Sequence, residues 1–332
     1  MTGVHWRPIP REFGPRATGA LPLAGGWAWF DTVAVLERGR PPEIAPAAEA
    51  PAEVLERLTA PRPPFAGLTL DRPRLMGILN ATPDSFSDGG ALDAPNGLPA
   101  RLDALRGADI LDVGGESTRP GAAPVAPSEE TRRVLPVITA ALGRRTVSID
   151  TRNAATARAA LSAGARIVND ISGLTHDPRM AEVAAGAEAV VLMHIQGDPR
   201  TMQDAPRYAD VLLDVYDALE SRIAAAERAG IPRARIAVDP GLGFGKTLEH
   251  NLALLRGLSL FHALGCAVLL GASRKGFIGR LAAVERADRR GPGTAATTLH
   301  AISQGVQLHR VHDISTVAQA VTLWTAIRRE DP

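Results

Sequence analysis

The sequence predicts an α/β fold, a (β/α)8 TIM barrel with an N-terminal extension. From Arg74 onward, apolar runs too short for helices alternate with Ala-, Leu- and Arg-rich segments of helical spacing. That is the pattern of parallel strands joined by helical crossovers. Eight such units over roughly 250 residues is the size of this barrel. Each apolar run ends in a polar cluster, and a barrel would gather those clusters at one mouth. A doubly wound open sheet is the alternative that the strand count leaves open.

The extension, residues 1–73, is rich in Pro and Ala, with Arg40-Pro41-Pro42 and Ala60-Pro61-Arg62-Pro63-Pro64 as punctuation. Gly25-Gly26 between apolar stretches suggests a hairpin within residues 21–36, and residues 52–58 suit a short helix. Trp27, Trp29 and Phe30 argue that this region lies against the main domain, since a disordered tail would leave them exposed. The barrel domain, residues 74–329, takes its strands from 75–79, 110–113, 146–149, 166–169, 189–193, 236–238, 267–270 and 307–311. Helical spacing marks 129–142, 154–163, 209–229 and 295–304 between them.

Composition narrows the function. The formal net charge is +1, so no global field favours nucleic acid or an anionic membrane. Four Trp and two Tyr are few for a base-stacking surface. The single cysteine, Cys266, sits in an apolar run, so a reducing compartment and a buried structural thiol are expected. The first residues lack a signal peptide's apolar core, and no apolar stretch is long enough to span a membrane. A cytoplasmic protein without nucleic-acid or membrane partners is the expectation.

The strand ends carry the chemistry. Asp150, Asn169 and Asp239 offer acceptors, the Asn adds donors, and Lys275 offers a cation. Such a set suits a flat heterocycle bound edge-on. Capping explains one of Asn169 and Asp170, not both. Arg310 and His312 alternate about Val311, so they share one side of a strand. With the helix that Asp313-Ile314-Ser315 begins, they suggest an anion site. His309 reads as structural. Asn80, followed by a polar Gly-rich loop, suits a hard cation whose other ligands come from phosphate. The run Gly241 to Thr247 is one residue short of a phosphate-binding loop, because Pro240 stands where that motif needs Gly.

These motifs, at 76–90, 112–121, 148–151, 168–172, 192–197, 239–246, 273–275 and 310–313, together resemble the dihydropteroate synthase family of pterin-binding enzymes. The resemblance implies a transferase of folate biosynthesis. It would join 6-hydroxymethyl-7,8-dihydropterin diphosphate to 4-aminobenzoate, giving 7,8-dihydropteroate and diphosphate. Carried over residue by residue, it assigns Asp150, Asn169, Asp239 and Lys275 to the pterin and Asn80 to Mg2+. Thr118, Arg310 and His312 fall to the diphosphate substrate, Arg310 also lying against the pterin face, and Arg119 is counted as substrate-binding; Phe86, Pro120, Phe244 and Lys275 surround the aminobenzoate. Asp150, Lys275, Arg310 and His312 are the implied catalytic set. Diphosphate departure before amine attack, two closing loops (81–90 and 115–123) and a homodimer through outer-wall helices are implied as well.

The chain departs from the family in three places. Gly276 stands where many relatives carry Ser or a larger residue, the first barrel helix is expected to be short, and the extension exceeds what most relatives carry. Two other readings compete. A methyltetrahydrofolate:corrinoid methyltransferase on the same scaffold would not need the 82–90 loop, the Ser117-to-Pro120 cluster or the Arg310/His312 pair. A catalytically silent paralogue would show loss of a key residue, and none is visible.

Overall fold

The computed structural model describes residues 3–14, 16–81, 97–117 and 124–328. Five short strands precede the barrel: β1 (Val4–Pro8), β2 (Leu21–Pro22), β3 (Trp29–Phe30), β4 (Thr32–Glu37) and β5 (Glu43–Pro46). β4 pairs antiparallel with β1 on one side and β5 on the other, while β2 and β3 form a separate pair. Gly25, in the turn between β2 and β3, has φ of 65°, and a Cβ there would lie 2.6 Å from the Cα of Pro61. Only glycine meets both demands. Helix α1 (Ala52–Thr59) follows.

This layer lies against the barrel's outer wall and underside. Trp27, Phe30, Val33 and Leu58 are buried with Ala263, Ile302 and Trp324. The indole of Trp27 donates to the Ile302 carbonyl at 2.9 Å, and Arg62 donates to the carbonyls of Cys266 and His262 at 3.0 and 2.9 Å. Cys266 is itself buried, and burial pushes its thiol up to about 12.

The barrel is closed. Its parallel strands are β6 (Arg74–Asn80), β7 (Ile110–Gly114), β8 (Thr146–Asp150), β9 (Ile167–Asp170), β10 (Ala189–Met193), β11 (Ile236–Asp239), β12 (Ala267–Leu270) and β13 (Leu308–Val311). The ring closes where β13 pairs with β6, Leu308 opposite Arg74 and Arg310 opposite Met76. Several strands run one residue beyond their apolar run and take in Asn80, Gly114, Asp150, Asp170 or Asp239. The ladder is made by backbone groups, so a polar side chain does not end it. Outside the strands lie α2 (Gly97–Ala104), α3 (Pro127–Ala141), α4 (Ala154–Ser162), α5 (Met180–Ala184), α6 (Val211–Arg228), α7 (Leu248–Arg256), α8 (Gly276–Ala282), α9 (Gly291–Ser303) and α10 (Ile314–Arg328). Among the described residues, no helix is long and apolar enough to cross a membrane.

Strand alternation divides the side chains. Leu79, Val113, Ile149, Val168, Leu192, Val238 and Leu270 pack in the large core beneath the helices. The interior has two storeys. The lower one is apolar: Met76, Ile110, Ile167, Val191, Leu269 and Leu308 cluster with Phe65, Ala66 and Leu70. Phe65 and Leu68 exchange backbone hydrogen bonds at 2.9 and 3.0 Å. The end of the extension thus forms a turn that plugs the barrel floor. The upper storey is polar.

Candidate active site

The upper storey is built by residues two steps along from the floor. Asp112 follows Ile110 on β7, Asn169 follows Ile167 on β9 and Arg310 follows Leu308 on β13. The Arg310 guanidinium joins them. Its Nε donates to Asp112 Oδ2 at 2.6 Å, and Nη2 donates to Asp150 Oδ2. Asn169 Nδ2 donates to the same Asp112 oxygen at 3.0 Å. Burial works against the Arg310 charge, but Asp112 and Asp150 outweigh it and hold its pKa above the ordinary value. Burial also pushes the Asp150 carboxyl up to about 7, against the pull of Arg310.

Gly114, at the end of β7, lies beside both Asp150 and Asn80. A Cβ there would lie 3.6 Å from Asp150 Oδ2 and 3.8 Å from Asn80 Oδ1. On the other side, Asp239 Oδ1 accepts from the Gly241 N–H at 2.7 Å. Burial raises the Asp239 carboxyl, with that N–H and Lys275 pulling back.

Lys275 is aimed by its turn. Arg274 has φ of 58°, a strained value for a non-glycine residue. It is held by its N–H on Thr294 Oγ1 at 3.1 Å and by Arg290 on its carbonyl at 2.9 Å. Lys275 follows, and α8 starts directly after it. Its ammonium lies 3.9 Å from the centre of the Phe244 ring, a cation–π contact. Burial lowers Lys275 to about 8, with Asp239 holding it up.

His312 leaves β13 on the mouth side, its N–H and Nδ1 at 3.1 and 3.0 Å from Ser273 Oγ. Asp313 caps the start of α10, accepting from the Thr316 N–H at 3.2 Å. The structure therefore places Asn80, Asp150, Asn169, Asp239, Lys275, Phe244, Arg310 and His312 at the strand ends or in the loops that follow them. Phe86, Thr118, Arg119 and Pro120, with most of both loops expected to close, lie outside the described residues. Asp170 points away from the mouth, and its carboxylate accepts from Ser172 N–H and Oγ, both at 2.7 Å. His309 also points away and bonds the Val306 carbonyl at 3.0 Å.

Sequence reasoning missed two residues. Asp112 stands inside an apolar run, yet it is in phase with Ile110 and Gly114, and that phase was its signal. Lys246 closes the Gly-rich loop after β11 and is buried against His194.

A closed parallel barrel with carboxylates, an amide and two cations round one polar recess defines an enzyme acting on a polar, charged small molecule at the strands' C-terminal ends. Residues 76–312 match the family described as pterin binding enzyme. The dihydropteroate synthase of Escherichia coli (strain K12) is 44% identical over 260 residues, covering 76% of this chain and 91% of that protein. That of Bacillus subtilis (strain 168) is 44% identical over 259 residues, 76% and 88%. A solved Yersinia pestis dihydropteroate synthase with a sulfonamide drug superposes with a TM-score of 0.74 at 41% identity, covering 79% of this chain and 96% of that one. The Xanthomonas albilineans enzyme in complex with 7,8-dihydropteroate gives 0.71 at 42% identity, 80% and 97%. The chain belongs to the pterin-binding enzymes and, within them, to the dihydropteroate synthases, transferases of folate biosynthesis.

Proposed function

We propose that the mouth joins 6-hydroxymethyl-7,8-dihydropterin diphosphate to 4-aminobenzoate. The observation that carries this reading is the Arg310 bridge between Asp112 and Asp150, with Asn169 on the same carboxylate oxygen. It fixes a row of acceptors and donors at one depth, with Asp239 and Lys275 across the recess. A planar ring with several N–H groups and a carbonyl satisfies such a row edge-on.

In the reaction, the bond from the pterin methylene carbon to the diphosphate oxygen breaks, and its electron pair leaves with the diphosphate. Arg310, His312 and the N–H groups opening α10 stabilise that anion. The methylene-pterin left behind is cationic, and the Asp150 carboxylate stabilises it. The aminobenzoate nitrogen then bonds to the methylene carbon, and its proton passes to diphosphate or solvent. Phe244 and the Lys275 ammonium flank the aminobenzoate.

The residues fit a Mg2+ ion held mainly by substrate phosphate. Asn80 would supply a neutral amide oxygen close to the Asp150 carboxylate, both beside Gly114, and a hard cation needs few protein ligands when phosphates complete its shell. When bound, the ion neutralises charge on the departing diphosphate. Among the described residues, no group of three His, Cys, Asp or Glu could hold a metal ion by itself. Arg310 and His312 favour the synthase over the corrinoid methyltransferase, which releases no diphosphate.

A homodimer through α9 and α10 is proposed on the character of their surface. Apart from Arg328, neither helix carries a charged residue, and Leu323 and Ile327 are exposed. A monomer mass by light scattering at micromolar concentration would refute it. The function itself is tested by diphosphate release from pterin diphosphate and Mg2+. The absence of any release that depends on added 4-aminobenzoate would refute the synthase reading.

A further inference from the structure

The loop between β11 and α7 buries an ammonium that the proposed reaction leaves unused. Lys246 is 3% exposed and follows Gly241, Gly243 and Gly245, whose φ values are 68°, 76° and 63°. Its Nζ lies 3.0 Å from His194 Nδ1, 3.0 Å from the Phe244 carbonyl and 3.4 Å from the His194 carbonyl. In its charged form all three protons thus have a protein acceptor within reach. His194, immediately after β10, is 6% exposed. Burial and then the Lys246 charge lower its imidazole to about 2, so the ring is neutral, and facing a protonated Lys246 its Nδ1 is the acceptor. Burial lowers Lys246 itself to about 7, with Asp239 holding it up. Burying an amine this way costs solvation energy, so its contacts must hold something that matters to the fold or the site.

They hold the Phe244 peptide. Three consecutive carbonyls of the loop are each taken by a side chain: Gly243 by Gln203 at 2.6 Å, Phe244 by Lys246 and Gly245 by the Tyr208 hydroxyl at 2.8 Å. The middle one carries the ring on which the Lys275 ammonium rests. Gly241 makes the close approach possible, because a Cβ there would lie 1.9 Å from the His194 carbonyl oxygen.

We propose that Lys246 is a positioning residue: anchored on His194, it fixes the Phe244 peptide and so the platform beneath Lys275 that receives aminobenzoate. The proposal rests on the aminobenzoate placement given above. A staple that merely stabilises the fold would change melting temperature without a selective effect on one substrate.

The test is a double-mutant cycle on the full-length enzyme, with saturating pterin diphosphate and Mg2+ and varied 4-aminobenzoate. Lys246→Met keeps the stem and removes the ammonium. It should raise KM for aminobenzoate about tenfold, with a smaller change in kcat. Added to Phe244→Ala, it should cause little further loss, because the platform it positions is already gone. An unchanged KM, or fold-changes that multiply in the double variant, would overturn the proposal. Should Lys246→Met not fold, the anchor serves instead. His194→Gln keeps an acceptor and should leave KM near the parent value, while His194→Leu should raise it. Equal KM in those two variants would also overturn the proposal. If Phe244→Ala alone leaves the aminobenzoate KM unchanged, the placement of aminobenzoate fails, and the proposal with it. If Phe244→Ala acts and Lys246→Met does not, only the proposal fails.

Discussion

Replacing Asp112 by Asn isolates the charge at the base of the recess. Oδ2 of Asp112 takes both hydrogen bonds, from Arg310 Nε at 2.6 Å and Asn169 Nδ2 at 3.0 Å, while Oδ1 is buried and has no partner among the described residues. An asparagine can leave its oxygen in the doubly used position and turn its NH2 toward the unpartnered side. The geometry survives and the negative charge does not. Hydrogen bonds involving charged groups contribute about 1.5–3 kcal/mol and neutral ones about 0.5–1.5 kcal/mol. Arg310 also keeps Asp150, so the loss stays below the roughly 3–5 kcal/mol of a broken buried pair. A loss of about 1–3 kcal/mol follows for groups that meet the pterin, or roughly 5- to 150-fold in kcat/KM for pterin diphosphate. Steady-state kinetics with varied pterin diphosphate measures this, and circular dichroism confirms the fold. A change below about twofold in kcat/KM, with the fold intact, would refute the role given to Asp112.

Other outcomes follow from the same geometry. Because burial lowers Lys275 to about 8, its ammonium loses its proton as pH rises through that value. The pH profile of kcat/KM should therefore fall above about 8, and Lys275→Arg should remove this alkaline limb; a limb unchanged in that variant assigns it elsewhere. Phe65→Ala empties the floor plug and should cost about 3–5 kcal/mol, seen as a lower melting temperature with kcat retained well below it. An unaltered melting curve would show that the plug adds nothing. Asn80→Ala should raise the Mg2+ concentration needed for half-maximal turnover, and equal turnover at limiting Mg2+ would argue against its role as a ligand.

Most of the recess was legible because alternation and strand ends are local signals. Asn80, Asp150 and Asp239 each terminate an apolar run, and Arg310 and His312 announce a shared face two residues apart. Asp112 was hidden by its neighbours: Ile110, Leu111 and Val113 make its segment read as core, and only the strand's phase shows that it turns inward. Lys246 stands in a Gly-rich run that resembles a phosphate loop, and that likeness masks its role. Its partner His194 stands 52 positions earlier in the chain, and nothing in either segment points to the other. The extension posed the same difficulty. Trp27 and Phe30 declared that they would be buried, but Ile302 and Trp324, against which they pack, come from helices at the far end of the barrel sequence.

The seam between β13 and β6 has a consequence for how the enzyme is assembled. Asp112 and Asp150 lie on β7 and β8, which are in place before the ring closes in sequence order, and the guanidinium between them arrives on the last strand. Without its last strand, the ring would hold these two carboxylates with their counterion missing. It also exposes the unpaired edges of β6 and β12, which invite aggregation. The closing strand cures both faults at once. Closure of the ring and the proposed pterin site thus share one arginine, and a barrel without its last strand would lack the cation that joins the two carboxylates.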